Sequence, residues 1–359
     1  MATIHDVAKA AGVSTATVSR SFAEKHSLRV ETRQRVLSAA AKLNYRPRRS
    51  ERVTTSSINI PALAHRSIGF QYFASMASDR LPTNAFYGPV LAGAQAEADT
   101  LGLNLMLHTT HRHMLSQSLP QMIRDQAVPG MLLVGTADPE IMRLFAQFVP
   151  KIVIVDNRDP LMQHDCVITD GFRGTATGVR HLLDLGHRKI AFITDRTVDA
   201  MFNDRLNGYI CTLFQAGIDV DRTIICEIEI PDVSRDIDQS VDEVATFLSG
   251  FSRADRPTAL VAGNDAHALV ALHACRQLGI SVPSQMSVVG FDDVDFSQHT
   301  YPALTTIGVD KEKMGRLAVR LLHKRLLEDA DDETVDPPVV VDMPVRLIKR
   351  DSCATVPSS

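Results

Sequence analysis

The chain has 359 residues, 45% hydrophobic and 22% charged, with 38 Lys+Arg against 42 Asp+Glu and no Trp. That balance excludes a disordered, collagen-like or disulfide-stapled chain, and the length predicts two or three domains around a sizeable core. The net charge of −4 is uneven: residues 1–53 carry eleven basic and four acidic side chains, a net +7, so the remainder carries −11, and a basic head on an acidic body points to a polyanionic partner.

In chain order, Ile4, Val7, Ala8 and Ala11 fall on one face of a short helix. Thr3 is its N-cap, and Asp6 stands at the capping-box position. Gly12 ends the helix, and Val13 tucks under the bend. Ser14 starts a second helix, about Thr15 to Phe22, with Val18 and Phe22 inward. A third helix follows, with Val36, Ala40 and Leu43 on one face. Two helices joined by a Gly-containing turn predict a helix-turn-helix. Thr15, Ala16 and Arg20 then suit base edges in the major groove. Ser14, Thr17, Ser19, Thr32 and Tyr45 suit phosphates. A three-helix interaction module is the other reading of this pattern.

The run Thr3-Ile4-His5-Asp6-Val7-Ala8-Lys9-Ala10-Ala11-Gly12-Val13-Ser14, with Thr17-Val18-Ser19-Arg20, Thr32-Arg33, Val36 and Leu43-Asn44-Tyr45-Arg46-Pro47, resembles the headpiece of the lac repressor family (LacI/GalR). The resemblance implies that Thr15, Ala16 and Arg20 read bases. It also sets Thr3 and His5 beside the backbone-contacting hydroxyls. One departure is Arg29, where the family often has a Ser N-cap.

The linker, residues 48–65, departs further. The family usually has a hinge helix here, whose Leu wedges into the minor groove and bends the duplex. Arg52 matches the family's Arg, but Thr54 stands at the Leu position, with Val53 the nearest apolar substitute. Weaker bending of DNA is the expectation. Arg46, Arg48, Arg49 and Arg52 supply phosphate contacts or minor-groove insertions.

From about residue 66, short apolar runs alternate with amphipathic stretches. Ser67–Phe73, Leu103–His108, Gly130–Val134, Lys151–Val155, Arg188–Thr194, Thr223–Ile230, Ala259–Ala262 and Ser287–Phe291 read as strands. This predicts parallel sheets in two doubly wound blocks, with a ligand cleft at their carboxyl ends. Leu185-Gly186-His187-Arg188-Lys189-Ile190, Arg205-Leu206-Asn207-Gly208-Tyr209, Asn264-Asp265 and Ser287-Val288-Val289-Gly290-Phe291-Asp292 resemble landmarks of the same family's effector-binding core. The implied fold is an all-α helix-turn-helix headpiece (1–47) and a hinge (48–65), followed by an α/β periplasmic-binding-protein-like core (66–350) and a tail (351–359). The core's N-subdomain is expected at about 66–168 and 300–330, its C-subdomain at about 169–299 and 331–350.

The cleft candidates are Arg205, a five-donor fork, the acceptors Asp170 and Asp292, and Asn264, which donates and accepts. Phe86, Tyr87 and Phe202 are candidate stacking rings. Each has a plainer reading: a structural salt bridge for Arg205 and Asp292, a helix cap for Asp170, core packing for the aromatics. With no Trp as a sugar stacker, the effector is left open among a sugar, a sugar acid, a nucleoside or another metabolite.

Other signals read as structural. Gly171, Gly174 and Gly178 fit neither dinucleotide nor P-loop spacing and suggest close helix packing. His108, His111 and His113 lack ligand-spaced partners for a metal. The five scattered cysteines read as reduced thiols. No catalytic set, cofactor or metal is expected. There is no secretory start and no apolar run near the ~18 residues that span a bilayer. The resulting expectation is a cytoplasmic, homodimeric regulator, a repressor more than an activator. It binds a near-palindromic operator in double-stranded DNA under control of a small-molecule effector. A binding module that no longer reads DNA is the rival.

Overall fold

The computed structural model describes residues 3–15, 17–18, 32, 35–36, 39, 67–74, 81–111, 120–125, 127–135, 138–195, 200–228, 237–328 and 336–356. The chain divides into two compact units, residues 1–59 and 60–359.

In the first unit, helix α1 (Ile4–Ala11) has the expected capping box: Thr3 Oγ1 accepts from the Asp6 amide, and Asp6 Oδ2 accepts from the Thr3 amide. Gly12 closes the helix at φ 63°, a left-handed conformation that glycine adopts without a Cβ penalty. Residues 15, 17, 18, 32, 35, 36 and 39 are also helical. Val7, Ala8, Ala11, Val18, Val36 and Ala39 form one buried cluster, with Val13 packed against it. Each buried Val contributes roughly 1.5–3 kcal/mol. Phe22, Ala40 and Leu43, also expected inside, lie outside the described residues.

The second unit contains two six-stranded sheets. Its elements are β1 (Ser67–Ala74), α2 (Tyr87–Thr100), β2 (Asn104–His111), α3 (Gln121–Arg124), β3 (Gly130–Val134), α4 (Pro139–Ala146), β4 (Lys151–Val155), β5 (Asp165–Thr169), α5 (Gly171–Asp184), β6 (Ile190–Asp195) and α6 (Ala200–Gln215). These are followed by β7 (Ile225–Ile228), α7 (Asp238–Ser249), β8 (Ala259–Ala262), α8 (Asp265–Gln277), β9 (Ser287–Asp292), β10 (Thr305–Val309), α9 (Lys311–Leu327), β11 (Val340–Met343) and β12 (Val345–Ile348). The N-sheet runs β11-β5-β4-β3-β1-β2 and the C-sheet β12-β10-β9-β8-β6-β7. All pairings are parallel except β10 with β12. β3, β5, β8, β9 and β10 are buried along their whole length, as expected where helices cover both faces.

The chain crosses between the sheets three times, after β5, after β10 and between β11 and β12. The last two crossings differ from the expected subdomain limits near 299 and 330. β10 pairs with β9 in the C-sheet, and β11 pairs with β5 in the N-sheet. The reason is that β10 is buried along its length and has a strand on each side, so the boundary falls at Asp310, the N-cap of α9. α9 itself packs on α2, β3, β4 and β5. Its Gly315 and Gly93 of α2 let the helices touch: a Cβ on Gly315 would fall on the Val90 carbonyl, and one on Gly93 on that of Glu312. Similarly, a Cβ on Gly174 would meet the Phe291 ring, so α5 lies close on the C-sheet, as its glycines suggested.

Candidate functional site

In the head, Thr3, His5 and Ser14 are exposed, and Thr15, Thr17 and Thr32 are half-buried. Ser14 Oγ accepts from the Thr17 amide at 3.2 Å and shares a hydrogen bond with Thr17 Oγ1 at 2.9 Å, so it caps the second helix. Ala16, Ser19, Arg20, Tyr45, Arg48, Arg49, Arg52, Val53 and Thr54 lie outside the described residues.

In the core, the carboxyl ends of β6, β8 and β9 gather one polar cluster. Phe202 and Arg205 stand on α6 after β6, Asn264 caps α8 after β8, and Asp292 ends β9. Arg205 is 5% exposed. Its Nη2 donates to Asp292 Oδ1 at 3.1 Å and its Nη1 to the Gly263 carbonyl at 2.5 Å. The guanidinium lies 4.0 Å over the Phe291 ring and 5.4 Å from the Phe202 ring. Its Nε has no partner.

Asp292 has φ 106° and Asp293 φ 50°, a region rare for residues with a Cβ. Two cations hold this turn. Lys311 Nζ donates to the carbonyls of Asp292 at 2.6 Å and Asp293 at 2.9 Å, and Arg350 Nη2 donates to Asp293 Oδ1 at 2.6 Å. Burial raises the Asp292 carboxyl above the usual range, and the charges of Arg205 and Lys311 oppose it. Beneath it, Asp265 accepts from Ser297 Oγ, Thr306 Oγ1 and the Val294 amide. Burial first, and then the charge of Asp292, pushes Asp265 up to about 7.

The N-subdomain side has its own cluster. Tyr87 Oη donates to Asp156 Oδ2 at 2.8 Å, and Thr169 Oγ1 to Asp156 Oδ1 at 3.3 Å. The Phe86 ring meets Tyr87 edge-on at 5.0 Å, and both rings are half-buried against the N-side core. Arg158 links the two subdomains, donating to Asp204 of α6 at 3.0 Å from Nη2.

Residues 3–48 match the family described as bacterial regulatory proteins, lacI family, and residues 179–353 match a periplasmic binding protein-like domain. The chain is 30% identical over 360 residues to the HTH-type transcriptional repressor PurR of Mannheimia succiniciproducens, covering 97% of this chain and 100% of that protein. The chain belongs to the lacI family of bacterial regulatory proteins. It is likewise 28% identical over 328 residues to the ribose operon repressor of Haemophilus influenzae, covering 91% and 92% of the two chains. A solved complex of the transcriptional regulator CelR with cellobiose matches 98% of this chain and 100% of that one at 26% identity and a TM-score of 0.68. The lac repressor dimer bound to operator and the anti-inducer ONPF matches 98% and 99% at 25% identity and a TM-score of 0.63. Members of the family are transcription regulators, not enzymes, and this lacI-family chain is a DNA-binding transcription regulator.

Of the cleft candidates in this lacI-family core, Phe202, Arg205, Asn264 and Asp292 share one cluster, and Phe86 and Tyr87 lie on the N-side. Asp170 stands at the start of α5. Its Oδ1 caps α5 at the Arg173 amide and its Oδ2 pairs with Arg173 Nη1 at 2.9 Å, so the helix-cap reading describes it. Asn264 Oδ1 is likewise used as a cap, accepting from the His267 amide at 2.9 Å. His267, Lys311, Asp156 and Arg158 were not singled out from sequence. For His267 a signal existed: an Asn cap at a strand end sets the third helical side chain back over the cap. His108, discounted as a metal ligand, is hydrogen-bonded to Gln71 and Thr110. Among the described residues, no three His, Cys, Asp or Glu are grouped to hold a metal ion, and no helix is long and apolar enough to cross a membrane.

Proposed function

We propose that this regulator is a cytoplasmic, homodimeric repressor whose operator affinity is set by a small molecule held between the two subdomains of the core. Thr15, Ala16 and Arg20 read bases. Thr3, His5, Ser14, Thr17, Ser19, Thr32, Tyr45, Arg48, Arg49 and Arg52 hold the backbone. A two-fold dimer sets two heads in successive major grooves of a near-palindromic site.

The observation that carries the effector half is the buried Arg205–Asp292 pair at the carboxyl ends of the C-sheet strands, with Arg205 Nε unpaired. Ligands of open α/β sheets bind at such strand ends. Two fixed charges and the Phe202 ring offer a polyol its hydrogen bonds and one apolar face. Phe86 and Tyr87 supply the opposite wall. A ligand touching both walls favours one spacing of the subdomains, and so one spacing of the heads. It regulates by as much as its affinities for the two states differ.

The test is selection of binding sites from random DNA by the purified protein, at fixed salt because phosphate contacts make affinity salt-dependent. An enriched inverted repeat is expected, and Arg20→Ala should weaken binding to it by ~1–3 kcal/mol. No enrichment, with or without a metabolite extract, contradicts DNA reading.

A further inference from the structure

His267 is 1% exposed, on the first turn of α8. Its Nδ1 lies 2.6 Å from Asn264 Oδ1. That oxygen also accepts from the His267 amide, which fixes it as the oxygen and not the nitrogen of the Asn264 side chain. Nδ1 must therefore carry the imidazole proton, because two acceptors do not bond to each other. The other nitrogen, Nε2, is left as a bare lone pair. It is buried and has no hydrogen-bond partner. Burial first, and then the charge of Arg205, pull the imidazole down to about 3, so it stays neutral at physiological pH.

The other buried unpartnered side-chain atom among the described residues is Arg205 Nε, a donor. The two belong to one cluster. The Phe202 ring meets the His267 ring edge-on at 5.5 Å and lies 5.4 Å from the Arg205 guanidinium. An unmet buried acceptor and an unmet buried donor each carry a desolvation penalty until something pairs with them. A group that gives a proton at one place and takes one at another relieves both. Vicinal hydroxyls do this. A sugar acid offers hydroxyls too, but Asp292 already pairs with Arg205 at 3.1 Å, so a second carboxylate there lacks a counter-charge.

We propose that His267 is a specificity-determining residue of the effector site, its Nε2 accepting a hydrogen bond from a hydroxyl of a neutral polyhydroxylated ligand while Arg205 Nε donates to that ligand. This rests on the cleft reading of Arg205 and Asp292 and adds which protonation state the cleft presents. It also selects a neutral sugar over a sugar acid, a choice the sequence left open.

The experiment is calorimetric titration of the full-length protein with ribose, cellobiose, gluconate and hypoxanthine. The proteins are wild type, His267→Met, His267→Gln and Arg205→Ala, each first checked for a cooperative thermal transition. Ribose or cellobiose should bind wild type more tightly than gluconate or hypoxanthine. His267→Met, of similar size but with only a weakly accepting thioether there, should weaken that binding about tenfold. His267→Gln, whose Oε1 replaces Nε2, should stay within about threefold of wild type, which a purely structural histidine would not require. Arg205→Ala should abolish binding. Equal affinity in His267→Met and wild type overturns the proposal; if Arg205→Ala still abolishes binding, the cleft reading survives it. Indifference to both substitutions overturns both. Preference for gluconate or hypoxanthine, or no binding by the two sugars, contradicts the ligand class proposed.

Discussion

Among the described residues, the core buries two arginine–aspartate pairs, and they are built differently. Arg325 and Asp165 meet in the N-subdomain through two parallel bonds of 2.7 and 2.8 Å. The other donors of Arg325 reach Glu328 and the carbonyls of Asp336 and Pro337, and Asp165 Oδ1 also takes the Val339 amide. Every donor of that fork is used. Arg205 and Asp292 meet through one bond of 3.1 Å, and the Nε of that fork is left with nothing. The first pair ties α9 to the edge where β5 meets β11. The second stands where three strands end. The saturated fork keeps no donor free, whereas the unsaturated one keeps its Nε.

Substitution can break that comparison, and the largest effect falls on the saturated pair. Arg325→Leu should destabilise the core by about 3–5 kcal/mol, read by urea unfolding, because it strands a buried carboxylate. Arg205→Leu should cost less, about 1–3 kcal/mol, since Lys311 still faces Asp292. If the order is reversed, Arg205 is the structural residue and the distinction fails.

Proton linkage sharpens the same contrast. His267 takes its proton at about 3 when folded, against 6.5 ordinarily. The unfolded chain then binds more protons between those values, so this contribution is complete above 6.5 and is lost as pH falls towards 3. Asp265 has the opposite sign. Its folded value of about 7 exceeds the ordinary 3.8, so its contribution is complete below 3.8 and is lost as pH rises through 7. In wild type the two slopes oppose each other between 3.8 and 6.5. Urea midpoints across this range should fall more steeply with rising pH in His267→Gln, and rise with pH in Asp265→Asn. Parallel profiles in all three proteins would refute the assignment.

The smallest effect is on the N-side wall. Tyr87→Phe removes the bond to Asp156 and should lower stability by about 1 kcal/mol, while its effect on ligand affinity stays below that of Arg205→Ala.

How much of this was legible in the sequence follows from how local each signal is. The head's caps are local: Thr3, Asp6 and Gly12 act within one turn and read correctly. The central strands are nearly as local, and Gly130–Val134, Lys151–Val155 and Ala259–Ala262 stand where their apolar runs suggested. The edge strands are not. Val340–Met343 and Val345–Ile348 are short, partly exposed and separated by one residue, yet they belong to different sheets. Nothing in so brief a run records a crossing. At the site, Arg205 and Asp292 were legible through the family's pattern. The capping role of Asp170 was legible as an alternative, because an Asp between a strand and a helix start has two uses. For His267 only its place over the Asn264 cap was legible, because an unmet lone pair is a property of the folded surroundings.

The most direct test of the account is the affinity of the selected operator for wild type and Arg205→Ala, measured by fluorescence anisotropy at fixed salt with ribose, cellobiose or neither. One sugar should change the wild-type affinity and leave the variant's unchanged, while the two proteins bind DNA alike without sugar. An equal response in both proteins, or none in wild type, would contradict it.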